Sequence, residues 1–139
     1  MIIYQSTKES FINDVISNNI ENVIHDFFKL KLGQATTIGE INSWKNSMQY
    51  MNNVLIDNEI PGDAGVIIEY QIPQTSKRID FILTGQDEHE NNYAILIELK
   101  QWSECEITDK DAVVTTYVGK RNREVSHPSY QVWSYASLL

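Results

Sequence analysis

The sequence predicts an α/β fold in which helices flank a central mixed β-sheet, and three observations carry that prediction. A long helical pattern places Ile41, Trp44, Met48, Met51 and Leu55 at alternating steps of three and four, forming one apolar stripe. Three short apolar runs follow, VIIEYQIP, RIDFILTG and YAILIELK, each separated from the next by polar turn residues. A last helical segment, SYQVWSYASLL, starts behind His127 and Pro128, where proline suits a first helical turn. With 139 residues, 42% hydrophobic, the chain can bury one core and is too short for two ordinary domains.

In chain order, Ile2 to Tyr4 reads as a short strand. Ser6 and Glu9 have the spacing of a capping box, opening a helix with Phe11, Ile12, Val15 and Ile16 inward. Asn18 and Asn19 interrupt it. A second helix carries Ile20, Val23, Ile24, Phe27, Phe28 and Leu30 inward and stops at Gly33, giving an N-terminal helical hairpin. Thr37 and Glu40 repeat the capping-box spacing before the long helix, expected from about Gly39 to Ile56. Glu40, Ser43 and Ser47 lie along the edge of its stripe, so that a carboxylate can overlook the sheet, although Glu40 equally serves as a cap. In VIIEYQIP, Glu69 interrupts the apolar pattern, either facing solvent on an outer strand or supplying an acid to a site. QDEHENN is an acidic hairpin loop. Residues 103–112 read as a loop, Val113 to Val118 as a strand, GKRN as a turn and Arg123 to Val125 as a return strand.

Charge limits the partners. The net charge of −8 opposes gripping nucleic acid by bulk electrostatics, since phosphate binding rests on Lys and Arg. Lys120, Arg121, Arg123 and His127, with Thr115 and Thr116 nearby, form the clearest local basic cluster, suited to a nucleic-acid-contacting loop or to a solvated hairpin tip. Trp102 and Trp133 can stack on bases or pack internally. One cysteine, Cys105, allows no internal disulfide, no His/Cys spacing suggests zinc, and no apolar run has the length of a membrane span. A cytoplasmic location is expected.

Three polar residues need a chemical explanation. Side chains alternate along a strand, so Ala94, Leu96, Glu98 and Lys100 share one face of YAILIELK while Ile95, Ile97 and Leu99 share the other. Both faces are apolar until the end, which predicts a central strand covered on both sides. Asp80 faces opposite to Ile79 and Phe81, and pairing through the hairpin would bring it towards Glu98. Adjacent carboxylates repel, and a hard ion such as Mg²⁺ or Mn²⁺ relieves that repulsion. With Lys100 beside them, the set has the parts of metal-assisted phosphodiester hydrolysis; a structural salt bridge is the alternative.

Asp80, a variable gap, then Glu98-x-Lys100 after an apolar strand, behind a helix offering Glu40, resembles the PD-(D/E)XK nuclease superfamily. Gln131 and Tyr135 match the QxxxY motif of its RecB-like branch. Before Asp80 stand Lys77, Arg78 and Ile79 rather than the proline and aspartate of the family name. The wording EINSWKNSM, IEYQIPQTSKRIDFILTG, IELKQWSE and REVSHPSYQVWSYASLL is similar to the N-terminal nuclease-like domain of bacterial proteins of unknown function that continue into a P-loop ATPase resembling helicases.

The resemblance implies a restriction-endonuclease-like core over residues 37–139 with a helical extension over 1–36, and a last core strand beyond Leu139. It implies that Asp80 and Glu98 bind Mg²⁺ or Mn²⁺, that Lys100, Gln131 and Tyr135 complete the catalytic set, and that Glu40 is the candidate for the first-helix acid; Glu69, from the residues alone, is a further candidate for a supporting acid. The substrate implied is DNA in preference to RNA. The partner implied is a C-terminal P-loop ATPase domain; GxxxxGK(S/T) is absent from these 139 residues. A catalytically inactive nuclease-fold module that binds nucleic acid or protein is the alternative, and a purely structural domain is a third.

Overall fold

The computed structural model describes all 139 residues, Met1 to Leu139. A strand, β1 (Ile2–Thr7), leads directly into α1 (Lys8–Ile16), and α2 (Ile20–Leu32) follows. Thr7, not Ser6, caps α1: its side chain accepts the Ser10 N–H at 3.2 Å, so the helix starts one residue later than expected. Asn18, at φ +50°, turns the chain between the two helices, and Gly33, at φ +65°, ends the second. Thr37 caps α3 (Ile38–Leu55) by accepting the Glu40 N–H at 3.2 Å, as its spacing predicted. The Glu40 carboxylate does not complete a capping box; it is bonded by Thr36 and Arg78 instead.

These helices build the main core. Phe11 and Val15 of α1, Ile20, Ile24 and Phe28 of α2, and Trp44, Met48, Met51 and Leu55 of α3 are all buried together. Ile16, Phe27 and Leu30, expected inward, are exposed, Leu30 by 78%. The reason is geometric: the buried stripe of α2 runs at steps of four, so Phe27 and Leu30 fall on its flanks, where Lys31 covers the Phe27 ring at 5.2 Å.

The sheet facing these helices has the order β1-β2-β3-β4, with β2 (Gly65–Gln71), β3 (Arg78–Gln86) and β4 (Asn92–Ile97). Every pairing is antiparallel, which corrects the expected mixed sheet. Short turns join β2 to β3 and β3 to β4, and a chain that turns back at once can only pair antiparallel. Residues 1–36 are therefore more than a helical extension, since β1 forms an edge of this sheet beside β2. A second, three-stranded antiparallel sheet comprises β5 (Glu106–Ile107), β6 (Val113–Val118) and β7 (Arg121–Ser126), before α4 (Pro128–Ala136). Glu106 and Ile107 thus lie in a strand within the segment read as loop. The β6–β7 turn is Gly119–Lys120, both at positive φ, and is tighter than the GKRN turn expected.

A second correction concerns β4, which is an edge strand and not a central one. Tyr93 and Ile95 are 58% and 57% exposed. Only its end is covered, where Ile97 and the following Leu99 pack against the helical core and Leu96 packs on the opposite face. Apolar residues on both faces were read as double coverage, but β4 pairs along one side only.

A skipped rung in the sheet positions the acidic side chains under α3. The β1–β2 register steps from Tyr4↔Ile68 to Ile2↔Tyr70, and the β2–β3 register from Ile68↔Phe81 to Tyr70↔Ile79. Ile3, Glu69 and Asp80 are skipped, with Glu69 at φ +55°. The pleat inverts across this missing rung. Ile3 and Tyr4 are both in the helical core, Ile68 and Glu69 both face α3, and Ile79 moves with Ile72 and Ile82 into a separate apolar cluster on the far face. Strict alternation would put Glu69 and Asp80 on that far face; the inversion turns them under α3.

Candidate active site

A cleft of about 230 Å³ opens between α3 and the sheet, and Glu69, Arg78, Asp80, Glu98 and Lys100 line it from below. Glu40, Ser43 and Ser47 line it from α3, as the edge of the helical stripe predicted. Asp80 therefore shares the helical side with Phe81, correcting the expectation from alternation.

Asp80 and Glu98 come together through the hairpin. The β3–β4 register pairs Phe81 with Ile97, and its continuation sets Asp80 opposite Glu98. Regular pairing ends there because the Asp80 carboxylate accepts the Leu99 N–H at 2.8 Å in place of a backbone carbonyl. Burial raises the pKa of Asp80, against the opposing effects of that hydrogen bond and of Lys100 and Arg78.

Glu98 is the most constrained member. Its side chain is 4% exposed, and burial with the nearby charge of Asp80 raises its pKa despite Lys100 and Gln131. Lys100 Nζ donates to Glu98 Oε1 at 2.6 Å, and Gln131 Nε2 donates to the same oxygen at 2.5 Å. Gln131 also donates to the Tyr135 hydroxyl at 2.9 Å, one helical turn on. Glu98 Oε2 is buried and has no partner. Glu98, Lys100, Gln131 and Tyr135 thus form one hydrogen-bonded group, and Asp80 lines the cleft beside it.

Behind them sits a charge network in which Glu40 and Glu69 were expected as supporting acids, while the parts of Arg78 and Trp44 were not. Glu69, read as facing solvent or supplying an acid to a site, takes the second position: the inverted pleat buries it at the cleft, where it accepts the Trp44 indole N–H at 2.8 Å. Arg78 lies 3.0 Å from Glu69 Oε2 and 2.7 Å from Glu40 Oε1, with its guanidinium 5.6 Å from the Phe28 ring centre. Desolvation raises the pKa of Glu69 to about 7, although Trp44 and Arg78 pull it down. Burial works against the charge on Arg78, but Glu69, Glu40 and Asp80 outweigh it and raise its pKa. Two signals pointed here: Trp44 follows Glu40 by four residues on one helical face, and Arg78 precedes Asp80 by two along a strand.

The basic cluster lies elsewhere. Lys120, Arg121 and Arg123 are exposed on the β6–β7 hairpin, outside the cleft lining. His127 caps α4, its Nδ1 accepting the Ser129 N–H at 3.1 Å. Thr116 is buried and donates to the Glu104 carbonyl. Trp133 is exposed and lies against Tyr130, while Trp102 lies 6.0 Å from Lys100 Nζ.

No group of three or more His, Cys, Asp or Glu side chains is arranged to hold a metal ion. Asp80 and Glu98 both line the cleft with carboxylate oxygens, and Glu98 Oε2 is buried and unpartnered. Mg²⁺ commonly takes one or two protein carboxylates and completes its shell with water and phosphate, so two are compatible with it. No helix is long and apolar enough to cross a membrane. No family model matches the chain, and neither a curated protein nor a solved structure matches it significantly.

Proposed function

We propose that this domain is a metal-dependent nuclease of the restriction-endonuclease-like class, cleaving phosphodiester bonds in DNA in preference to RNA. The observation that carries the reading is Glu98, which lines one cleft with Asp80: one of its oxygens is held by Lys100 and Gln131, and the other is buried and unpartnered. A buried carboxylate oxygen without a partner is costly and suits a ligand position. Asp80 and Glu98 would hold Mg²⁺ or Mn²⁺. Such an ion supplies Lewis-acid activation of a phosphoryl oxygen and of water.

The chain's own residues have distinct tasks. Lys100 has its ammonium beside the cleft and stabilises negative charge developing on the phosphate, or orients the attacking water. Gln131, braced by Tyr135, fixes the rotamer of Glu98. Glu40 and Glu69 hold Arg78 and thereby shape the cleft wall. A C-terminal P-loop ATPase domain is the proposed partner in the parent protein.

The test is nicking of plasmid DNA by purified protein with Mn²⁺, in parallel with Asp80→Ala and Lys100→Ala. Activity confined to the wild type supports the reading, whereas equal activity in all three identifies a contaminant and sinks it. One observation favours the alternative of an inactive binding module: Arg78 already places a cation in the cleft, paired with Glu40 and Glu69. That reading requires nucleic-acid binding that survives both substitutions, with no cleavage by the wild type.

A further inference from the structure

Adjoining the cleft, and sharing Ser47, Leu99 and Lys100 with it, is a larger open groove of about 1010 Å³. One wall is α3 and the other is the segment 99–103. Asn46, Gln49, Tyr50 and Asn53 line the helical wall at spacings i, i+3, i+4 and i+7, a single exposed stripe beside the buried one. None of the four is charged, in a chain with 30 Lys, Arg, Asp and Glu residues (11 + 19). Asparagine is also a poor helix former, and nothing in the packing of α3 calls for it on this face. Trp102 faces the stripe from the opposite wall, with Lys100 over its ring at 6.0 Å.

The two walls are tied together. Gln101 Nε2 lies 2.9 Å from both the carbonyl and the hydroxyl oxygen of Ser43, and 3.1 Å from the hydroxyl of Ser47. The groove is therefore built into the fold, and Lys100 stands at its junction with the cleft.

We propose that this groove binds unpaired nucleobases of a strand whose phosphate occupies the neighbouring cleft, so that the substrate is single-stranded or frayed nucleic acid. The inference rests on the nuclease reading for the cleft and adds the substrate class. Side-chain amides carry paired donors and acceptors that match base edges, and an indole offers a stacking face. In a duplex both the pairing edges and the ring faces are covered. Neutral contacts also let a chain of net charge −8 hold a polyanion without many cations, so affinity should depend only weakly on salt.

The experiment is fluorescence anisotropy with a labelled 12-nucleotide single strand, its duplex, and the same strand carrying abasic sites, all in EDTA so that cleavage plays no part. The single strand is expected to bind tighter than the duplex and the abasic strand. Trp102→Ala should weaken single-strand binding about tenfold, the cost of one lost stack. Gln49→Ala and Asn53→Ala should weaken it by smaller factors, and Trp102→Phe, which keeps a stacking ring, should restore most of the loss and guard against a folding artefact. Equal affinity for abasic and normal strands, or unchanged binding in Trp102→Ala, overturns the proposal, as does failure to bind any strand. Failure of the nuclease reading looks different: Trp102-dependent binding persists while the wild type cleaves nothing in Mn²⁺.

Discussion

Gln131 reaches across 33 positions of sequence to donate a 2.5 Å hydrogen bond to Glu98. Lys100 is bonded to the same oxygen, so α4 and the end of β4 hold one carboxylate between them. Charge-assisted hydrogen bonds of this kind are about twice as strong as neutral ones, and two of them fix the rotamer of a side chain.

Under the proposed nuclease reading, Gln131→Ala should therefore lower the cleavage rate by roughly tenfold or more, the value of one hydrogen bond to a charged group. KM should change little, because Gln131 acts through Glu98. Tyr135→Phe should have a smaller effect, since the phenol oxygen only receives the second amide N–H. A Gln131→Ala protein that cleaves as fast as the wild type would reduce α4 to a packing role.

Stability should fall as pH rises towards neutrality. The pKa of Glu69 is raised from 4.5 to about 7, so the folded state holds this proton more tightly than the unfolded chain. The resulting stabilisation is full below about pH 4.5 and is lost as pH climbs through about 7, an effect of roughly 3 kcal/mol. Asp80 and Glu98, also raised, add to it with the same sign. Urea denaturation at pH 5 and pH 8 should show the loss in wild type and a clearly flatter profile in Glu69→Gln.

Trp44→Phe removes the indole N–H that Glu69 accepts. Without that donor the Glu69 pKa should move above about 7, since the bond favours the charged form. The folded state should lose about 1–3 kcal/mol at pH 8, where the carboxylate is ionised. A carbon-13 titration of the Glu69 carboxyl reads the first effect; an unmoved midpoint would contradict the bond.

Arg78→Ala leaves Glu40 and Glu69 without their shared cation. About 2 kcal/mol of destabilisation is expected at pH 8, less at pH 5 where Glu69 is protonated. Arg78→Lys should recover only part of it, because one ammonium cannot reproduce a guanidinium fork spanning two acids. Thermal denaturation of the three proteins at both pH values provides the check.

The helices and most strands were readable because the 3.6 and 2.0 periodicities each reflect a buried face. Trp44, Met48, Met51 and Leu55 are buried as their spacing required, and Thr37 caps where expected. Asp80, Glu98 and Lys100 stood out as polar groups in or at the end of apolar strands, and Gln131 and Tyr135 only through the QxxxY motif of the family the sequence resembles; Glu98, Lys100, Gln131 and Tyr135 are hydrogen-bonded to one another, and Asp80 lines the cleft beside them. What stayed hidden depended on partners distant in sequence. Nothing local in YAILIELK shows that one edge goes unpaired, and Leu30 looks like core until the stripe of α2 is set by α3 and the sheet. The side Glu69 takes could not be decided for a further reason: alternation assumes an unbroken pleat, and the pleat breaks at that residue.

The skipped rung at Ile3, Glu69 and Asp80 also sets where the sheet can breathe. Three neighbouring strands lack regular pairing at one level, so amide protons flanking it should exchange through small local openings while Val66 and Leu83 wait for larger ones. That level lies beneath the cleft. A ligand reaching Asp80 would close the gap from above, and slowed exchange at Ile3 and Tyr70 would report its arrival from the layer below.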